Sequence, residues 1–193
     1  MATQLEEWEK FAKNNLKIET IFVPTIKTAL KKQYSSFIDD LKTLGIDYAT
    51  QQMQFYPWNS DMIPVLRKIY KRAGLLGAVT SYRELLNDTK DTKYRGFGFN
   101  QEWVDQVLEY LQIHILNKAV IPISETTKKF ILLTIENAVN EGRGIDWIVN
   151  RITDNEILEA RARTIARTET IRAANTGHMI GARKFPYEVT KGW

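Results

Sequence analysis

Apolar residues recur at steps of three and four along most of this chain, the period of α-helices that bury one side. Leu5, Trp8, Phe11, Ala12, Leu16 and Ile18, with Glu and Lys between them, predict an opening helix. Pro24 interrupts the run. It is either the first residue of a second helix, where a missing N–H costs nothing, or a kink in one long helix. Ile26, Leu30, Tyr34, Phe37, Leu41 and Leu44 then continue the stripe to Gly45, which predicts a C-terminal stop. The cluster Phe55-Tyr56-Pro57-Trp58-Asn59 predicts a packed corner rather than a ligand box. Asn59 or Ser60 is placed to cap a helix bearing Ile63, Leu66, Ile69 and Tyr70.

Periodicity weakens between Gly74 and Asn100, leaving a short helix around Ser81 to Leu86 and an irregular loop near residues 87–100. A better helix is predicted from Gln101 to Lys118, capped by Asn100, with Trp103, Val107, Leu111 and Ile115 or Leu116 inside. Val120-Ile121-Pro122-Ile123 reads as short, extended and apolar. Ser124-Glu125-Thr126-Thr127 then opens a helix that buries Phe130, Leu133, Ile135 and Val139 and ends at Glu141-Gly142-Arg143-Gly144. A short helix with Trp147, Ile148 and Ile152 follows, and Asp154 caps a last helix running to about Ala182. No strand-like alternation of useful length and no internal repeat is visible. The fold class expected is mainly α: a multi-helix assembly with a long C-terminal Arg-rich helix.

Composition adds bounds rather than chemistry. The 193 residues allow one domain or two small ones, and 44% hydrophobic with 26% charged residues is ordinary for a globular protein. No apolar run reaches the roughly 18 to 20 residues of a membrane-spanning helix. Met1-Ala-Thr-Gln-Leu-Glu-Glu-Trp8 has neither the basic nor the apolar part of a secretory signal. There is no cysteine, which removes disulfides, thiol catalysis and cysteine-ligated metals. A net charge of +4 favours acidic partners but is sparse for a dedicated nucleic-acid binder.

The one unusual segment is Ala160 to Gly177. It holds Arg161, Arg163, Arg167 and Arg172 within twelve residues, beside the single acid Glu169. At about 100° per residue, Arg163 and Arg167 share a side with Thr170, while Arg161 and Arg172 fall nearly opposite. Glu169 and Arg172 are spaced to pair at i, i+3. Ala162, Ala166, Ala173 and Ala174 let another element approach closely. Two basic sides argue for one stripe that braces the fold and another that faces outward, against a single DNA-facing surface. No metal site is expected: His114 and His178 are the only histidines, and neither has a second histidine at ligand spacing. His114 reads as a packed or rim residue, and His178 is placed to meet an acid in space. Arg95-Gly96-Phe97-Gly98-Phe99 contains GxG without a preceding strand, and reads as a loop plugged into its own core rather than a nucleotide or base site. With no phosphate loop, dinucleotide fingerprint or Ser-His-Asp set, no catalytic or cofactor-binding residue is assigned, and the expectation is a protein that is not an enzyme.

The run Arg161, Ala162, Arg163, Thr164, Ile165, Ala166, Arg167, Thr168, Glu169, Thr170, then Arg172, Ala173, Ala174, Asn175 and Gly177, resembles the hallmark of phage head morphogenesis proteins. These are the minor head proteins of the Mu F-like family. Gly142-Arg143-Gly144 followed by Ile145 to Ile152 is similar to the turn and short helix that precede this motif in the family. Lys191-Gly192-Trp193 resembles the Lys-x-Trp that opens its next segment. The likeness covers about Ser124 to Trp193, and the family continues where this sequence stops, so a product cut short at its C-terminal end is expected. The organisation expected is an N-terminal helical segment and docking arm at 1–45, a middle helical region at 46–123, and the head morphogenesis region at 124–193. The resemblance implies a viral structural protein: a low-copy, portal-associated capsid assembly component of a tailed double-stranded-DNA phage. Its partners would be portal or capsid proteins and packaged DNA, and its place the virion head, with the host cytoplasm during assembly. The alternative is a DNA-contacting module in which Arg163, Arg167, Arg183 and Lys184 touch phosphates. On the first reading Arg161, Arg163, Thr164, Arg167, Thr168, Glu169, Thr170, Arg172, Asn175 and Gly177 are structural.

Overall fold

A computed structural model describes residues 4–88 and 101–183, with the side chains of 4, 7, 86–88, 102, 103 and 114–117 outside the description. The loop motif Arg95 to Phe99, the Asn100 cap, Lys184, Lys191-Gly192-Trp193, and the side chains of Trp103, His114, Ile115 and Leu116 therefore lie outside the described residues. The protein is mainly α, and no strand occurs among the described residues. In chain order the helices are α1 (Gln4–Gln51), α2 (Met62–Ile69), α3 (Leu75–Asp88), α4 (Gln101–Tyr110), α5 (Leu116–Asn140), α6 (Ile145–Ile152) and α7 (Asn155–Arg183). Single π turns at Tyr70–Gly74 and Leu111–Ile115 join α2 to α3 and α4 to α5.

Helix α1 continues through Pro24, so the two opening segments are one helix rather than a pair. Pro24 is exposed, and so is Thr20, whose carbonyl loses its intrahelical donor, so water can take that bond. The break comes at Gly45, where φ is 88°, a left-handed conformation that glycine adopts without strain. Gly142 ends α5 in the same way, with φ at 66°. Arg143 N–H bonds the Ala138 carbonyl at 2.7 Å and Gly142 N–H bonds that of Val139 at 3.2 Å, the paired bonds of a Schellman cap. Asp154 starts α7: its Oδ1 accepts from the N–H groups of Glu156 and Ile157, both at 2.9 Å.

Three expectations need correction. Val120 to Ile123 is not extended, and Ser124 does not open a helix; both lie inside α5. Ala119, Val120, Ile123, Ser124, Thr127, Ile131, Thr134, Ile135 and Ala138 are its buried positions, a helical series that overrides the local β preference of the apolar run. Pro122 stays on the exposed side, where its missing N–H is tolerated. The register also shifts, because Leu133 and Val139, expected inside, are exposed. Finally, the short helix at Ser81 to Leu86 is part of the longer α3, and the helix expected from Gln101 to Lys118 passes through a π turn into α5.

The chain divides into two compact units, each assembled from separate stretches of the sequence. One unit holds Ile21–Leu66 and Lys118–Ala166. Its core gathers Ile26, Leu30, Tyr34, Phe37 and Leu41 of α1 with Met62 and Leu66 of α2, Ile131 of α5, Ile148 of α6 and Leu158 of α7. The aromatic corner belongs here: Phe37, Tyr56 and Trp58 rings lie 5.6–6.3 Å apart, and Trp58 Nε1–H donates to the Met53 carbonyl at 2.6 Å. Phe55, by contrast, is 71% exposed and takes no part in the corner. Neither Asn59 nor Ser60 caps α2 through its side chain. The Asn59 side chain instead receives the Ser124 hydroxyl, and Ser60 donates to the Pro57 carbonyl at 2.9 Å.

The other unit is built on Arg67–Asn117, with α1 up to Thr20 and α7 from Arg167 onward. Here the two π turns meet, and α3 packs against α4. Leu111, fully buried, closes over Gly74 so tightly that a methyl there would strike its side chain. The small residues of α7 bring its backbone onto α3: a methyl on Gly77 would fall on the Ala174 carbonyl, one on Gly177 on the Gly74 carbonyl, and one on Gly181 on the Ala78 carbonyl.

Candidate functional site

The residues of the Arg-rich segment all sit on α7, whose N-terminal part belongs to the first of these units and whose C-terminal part belongs to the second. In the first unit, Arg161 points inward. Its Nη2 donates to Thr127 Oγ1 at 2.9 Å, and its guanidinium carbon lies 5.2 Å from the centre of the Phe130 ring, a cation–π contact. The fully buried Tyr34 hydroxyl lies in the same field: burial raises its pKa, and the Arg161 charge works against that shift. Arg163 points outward, with its side chain 70% exposed, and pairs with Glu159 at 3.0 Å. Glu159 also receives Lys27 Nζ at 2.9 Å. That hydrogen bond, followed by the charges of Lys27 and Arg163, holds its carboxyl below the ordinary range despite partial desolvation. Thr164 is exposed and its hydroxyl returns to the Ala160 carbonyl at 3.0 Å, a bond within the helix.

In the second unit the centre is Glu169. Its carboxylate is buried, accepts the Tyr70 hydroxyl at 2.7 Å, and holds Arg172 Nη1 at 2.9 and 3.0 Å through its two oxygens. Burial pushes the Glu169 carboxyl above its ordinary pKa, with the Tyr70 hydrogen bond and the Arg172 charge pulling the other way. Tyr70 is driven up in turn, first by burial and then by Glu169. Arg167, Thr168, Asn175 and Arg183 are exposed, and Gly177 is buried against Gly74. Thr170 was placed with Arg163 and Arg167 but is fully buried. The reason is that the buried face of α7 is broader here: Glu169, Thr170, Ala173, Ala174, Gly177, Ile180 and Gly181 are all inside, and small side chains allow backbone to meet backbone. His178 lies 3.6 Å from Glu84, the acid in space that the sequence left unnamed.

The structure thus gives the four arginines separate surroundings rather than one basic surface. The Glu169–Arg172 pair was readable from i, i+3 spacing, but the third member, Tyr70, lies 99 positions away and carries no sequence signal. Beside the aromatic corner, a cleft of about 270 Å³ is lined by Tyr56, Asn59, Ser124, Glu125 and Lys128. Its polar groups bond to one another: Ser124 donates to Asn59, and Lys128 pairs with Glu125 at 2.9 Å. Such a serine hydroxyl is held as a structural donor and is not activated by a base. Among the described residues no cluster of His, Asp and Glu side chains is arranged to hold a metal, and no helix is long and apolar enough to cross a membrane. No family model matches the chain, and neither a curated protein nor a solved structure matches it.

Proposed function

We propose that this chain is a non-enzymatic assembly protein of a tailed double-stranded-DNA phage head, a minor head protein acting at the portal or on the capsid interior. The observation that carries this reading is the use made of the Arg-Thr-Glu-Thr segment. Glu169 ties α7 to Tyr70 through a buried hydrogen bond, and Gly177 seats α7 against the Gly74 backbone. Two of the residues that carry the resemblance to head morphogenesis proteins, Glu169 and Gly177, thus hold α7 to its neighbours, which suits a structural part better than a reactive centre. Such a protein works in the host cytoplasm during assembly and ends in the virion head. The test is to mix the chain with purified portal rings and with empty capsid shells of its phage and image the particles. Bound copies at the portal or on the inner shell are expected; particles bare of the chain at every ratio would sink the reading.

A second reading has its own support in Arg163, Arg167 and Arg183, which are all exposed on α7, Arg163 while paired with Glu159. It predicts duplex binding that weakens with salt in proportion to the phosphates contacted, and it competes with the first reading only if that binding is strong.

A further inference from the structure

Helix α1 carries a stripe of large apolar side chains that its own unit leaves uncovered. Leu5 and Trp8 are each 66% exposed and Leu16 is 60% exposed, with Ala12 half-buried between them. One turn spacing of three and four places all four on one side of the helix. The side that adjoins Trp8 turns inward through Asn15 and Ile18. Beside the stripe, on its solvent side, runs a charged flank that changes sign along the helix: Glu6 and Glu9 come first, then Lys10, Lys13 and Lys17, all exposed.

We propose that this face binds a second copy of the chain, with the two α1 segments antiparallel about a two-fold axis. The charge pattern selects this occupant and this orientation. In an antiparallel two-fold pair both charged flanks lie on the same side of the joint and run in opposite directions. Centring the pair between Lys10 and Phe11 sets Leu5 of one copy against Leu16 of the other. Glu6 and Glu9 of each copy then face Lys13 and Lys17 of its mate. A parallel pair puts the two flanks on opposite sides of the joint, and the sign change has no counterpart there. The apolar contact spans only about 16 Å, eleven residues at a helical rise, so the dimer is weak and forms as concentration rises.

Sedimentation of the full chain over a concentration series tests this. The wild type should pass from monomer to dimer. Trp8→Glu and Leu16→Glu should each weaken association about tenfold or more, with helicity and melting unchanged because both positions are exposed. A chain with Glu6→Lys and Glu9→Lys, and another with Lys13→Glu and Lys17→Glu, should each remain monomeric and should pair when mixed. A wild type that stays monomeric throughout would overturn the proposal, as would a dimer indifferent to these charge exchanges. So would a stripe that is covered only when portal or capsid subunits are added. The experiment uses the chain alone, so it stands or falls separately from the phage assignment.

Discussion

Glu169 is a carboxylate almost without access to water, and burial sets the sign of its effect on stability. Because its pKa is raised on folding, the folded chain holds the proton more firmly than the unfolded one. The stability it contributes is therefore full below the ordinary value of 4.5 and falls as pH rises through the raised value. Thermal melts across the mildly acidic range should show this slope in the wild type and lose it in Glu169→Gln. The amide keeps an acceptor oxygen for Tyr70 but no titrating proton. Glu169→Ala should be worse than Glu169→Gln, because it leaves the buried Tyr70 hydroxyl without its acceptor, at a cost of about 1–3 kcal/mol. Equal losses in the two variants, or an unchanged slope in Glu169→Gln, would show that the carboxylate is not the group responsible. Arg161 illustrates a different residue-scale economy: its charge lies against Phe130 and Thr127, where a lysine has no planar group to stack.

At the scale of elements, the seat of α7 on α3 rests on missing side chains. Gly177→Ala and Gly77→Ala would each push a methyl onto a neighbouring carbonyl oxygen, and backbone cannot swing aside as a side chain does. Each should lower stability by about 1–3 kcal/mol, the usual cost of overpacking. Gly144→Ala meets nothing within 4 Å and should lose only the modest helix-start preference of glycine over alanine. Denaturant midpoints of the three variants check this, and a Gly177→Ala chain as stable as Gly144→Ala would refute the close packing. These elements also divide what the sequence reveals from what it hides. Gly45, Gly142 and Asp154 announce helix ends because the chemistry of an end is local: a left-handed residue, or a side-chain acceptor for orphan N–H groups. Val120 to Ile123 misleads for the same reason, since its β-branched residues and Pro122 argue locally for an extended segment while the helix is decided by what Val120 and Ile123 bury against. The π turns at Tyr70 and Leu111 shift the helical register by a fraction of a turn, and no residue type marks that shift. Of the site, the split of the arginines onto two sides of α7 follows from the helical period, but which of them turns inward does not. Arg161 bonds Thr127 while Arg172, on the same side, is exposed, and Tyr70, Thr127 and Phe130 enter only through the tertiary fold.

For the whole molecule, the balance of charge limits how it can meet DNA. Its 27 basic and 23 acidic residues leave a surplus of four, and the arginines of α7 do not all contribute to it freely. Arg163 is engaged by Glu159 and Arg172 by Glu169, while Arg167 and Arg183 stand exposed. Two such arginines neutralise about two phosphates, and each phosphate contributes roughly −0.9 to the slope of log affinity against log salt. Raising salt fourfold should then weaken duplex binding only about tenfold, far short of the loss for a protein that grips six to ten phosphates. Arg167→Ala should leave the melting temperature unchanged, since the side chain is exposed, and should lower the slope by about one phosphate's worth. Titrating labelled duplex at several salt concentrations measures both. A loss of a thousandfold or more over that range would require further basic contacts and would move the weight of the assignment from assembly brace to DNA-contacting module. A shallow slope keeps α7 in the role its burial suggests, with its inner side joining helices and its outer side only lightly charged.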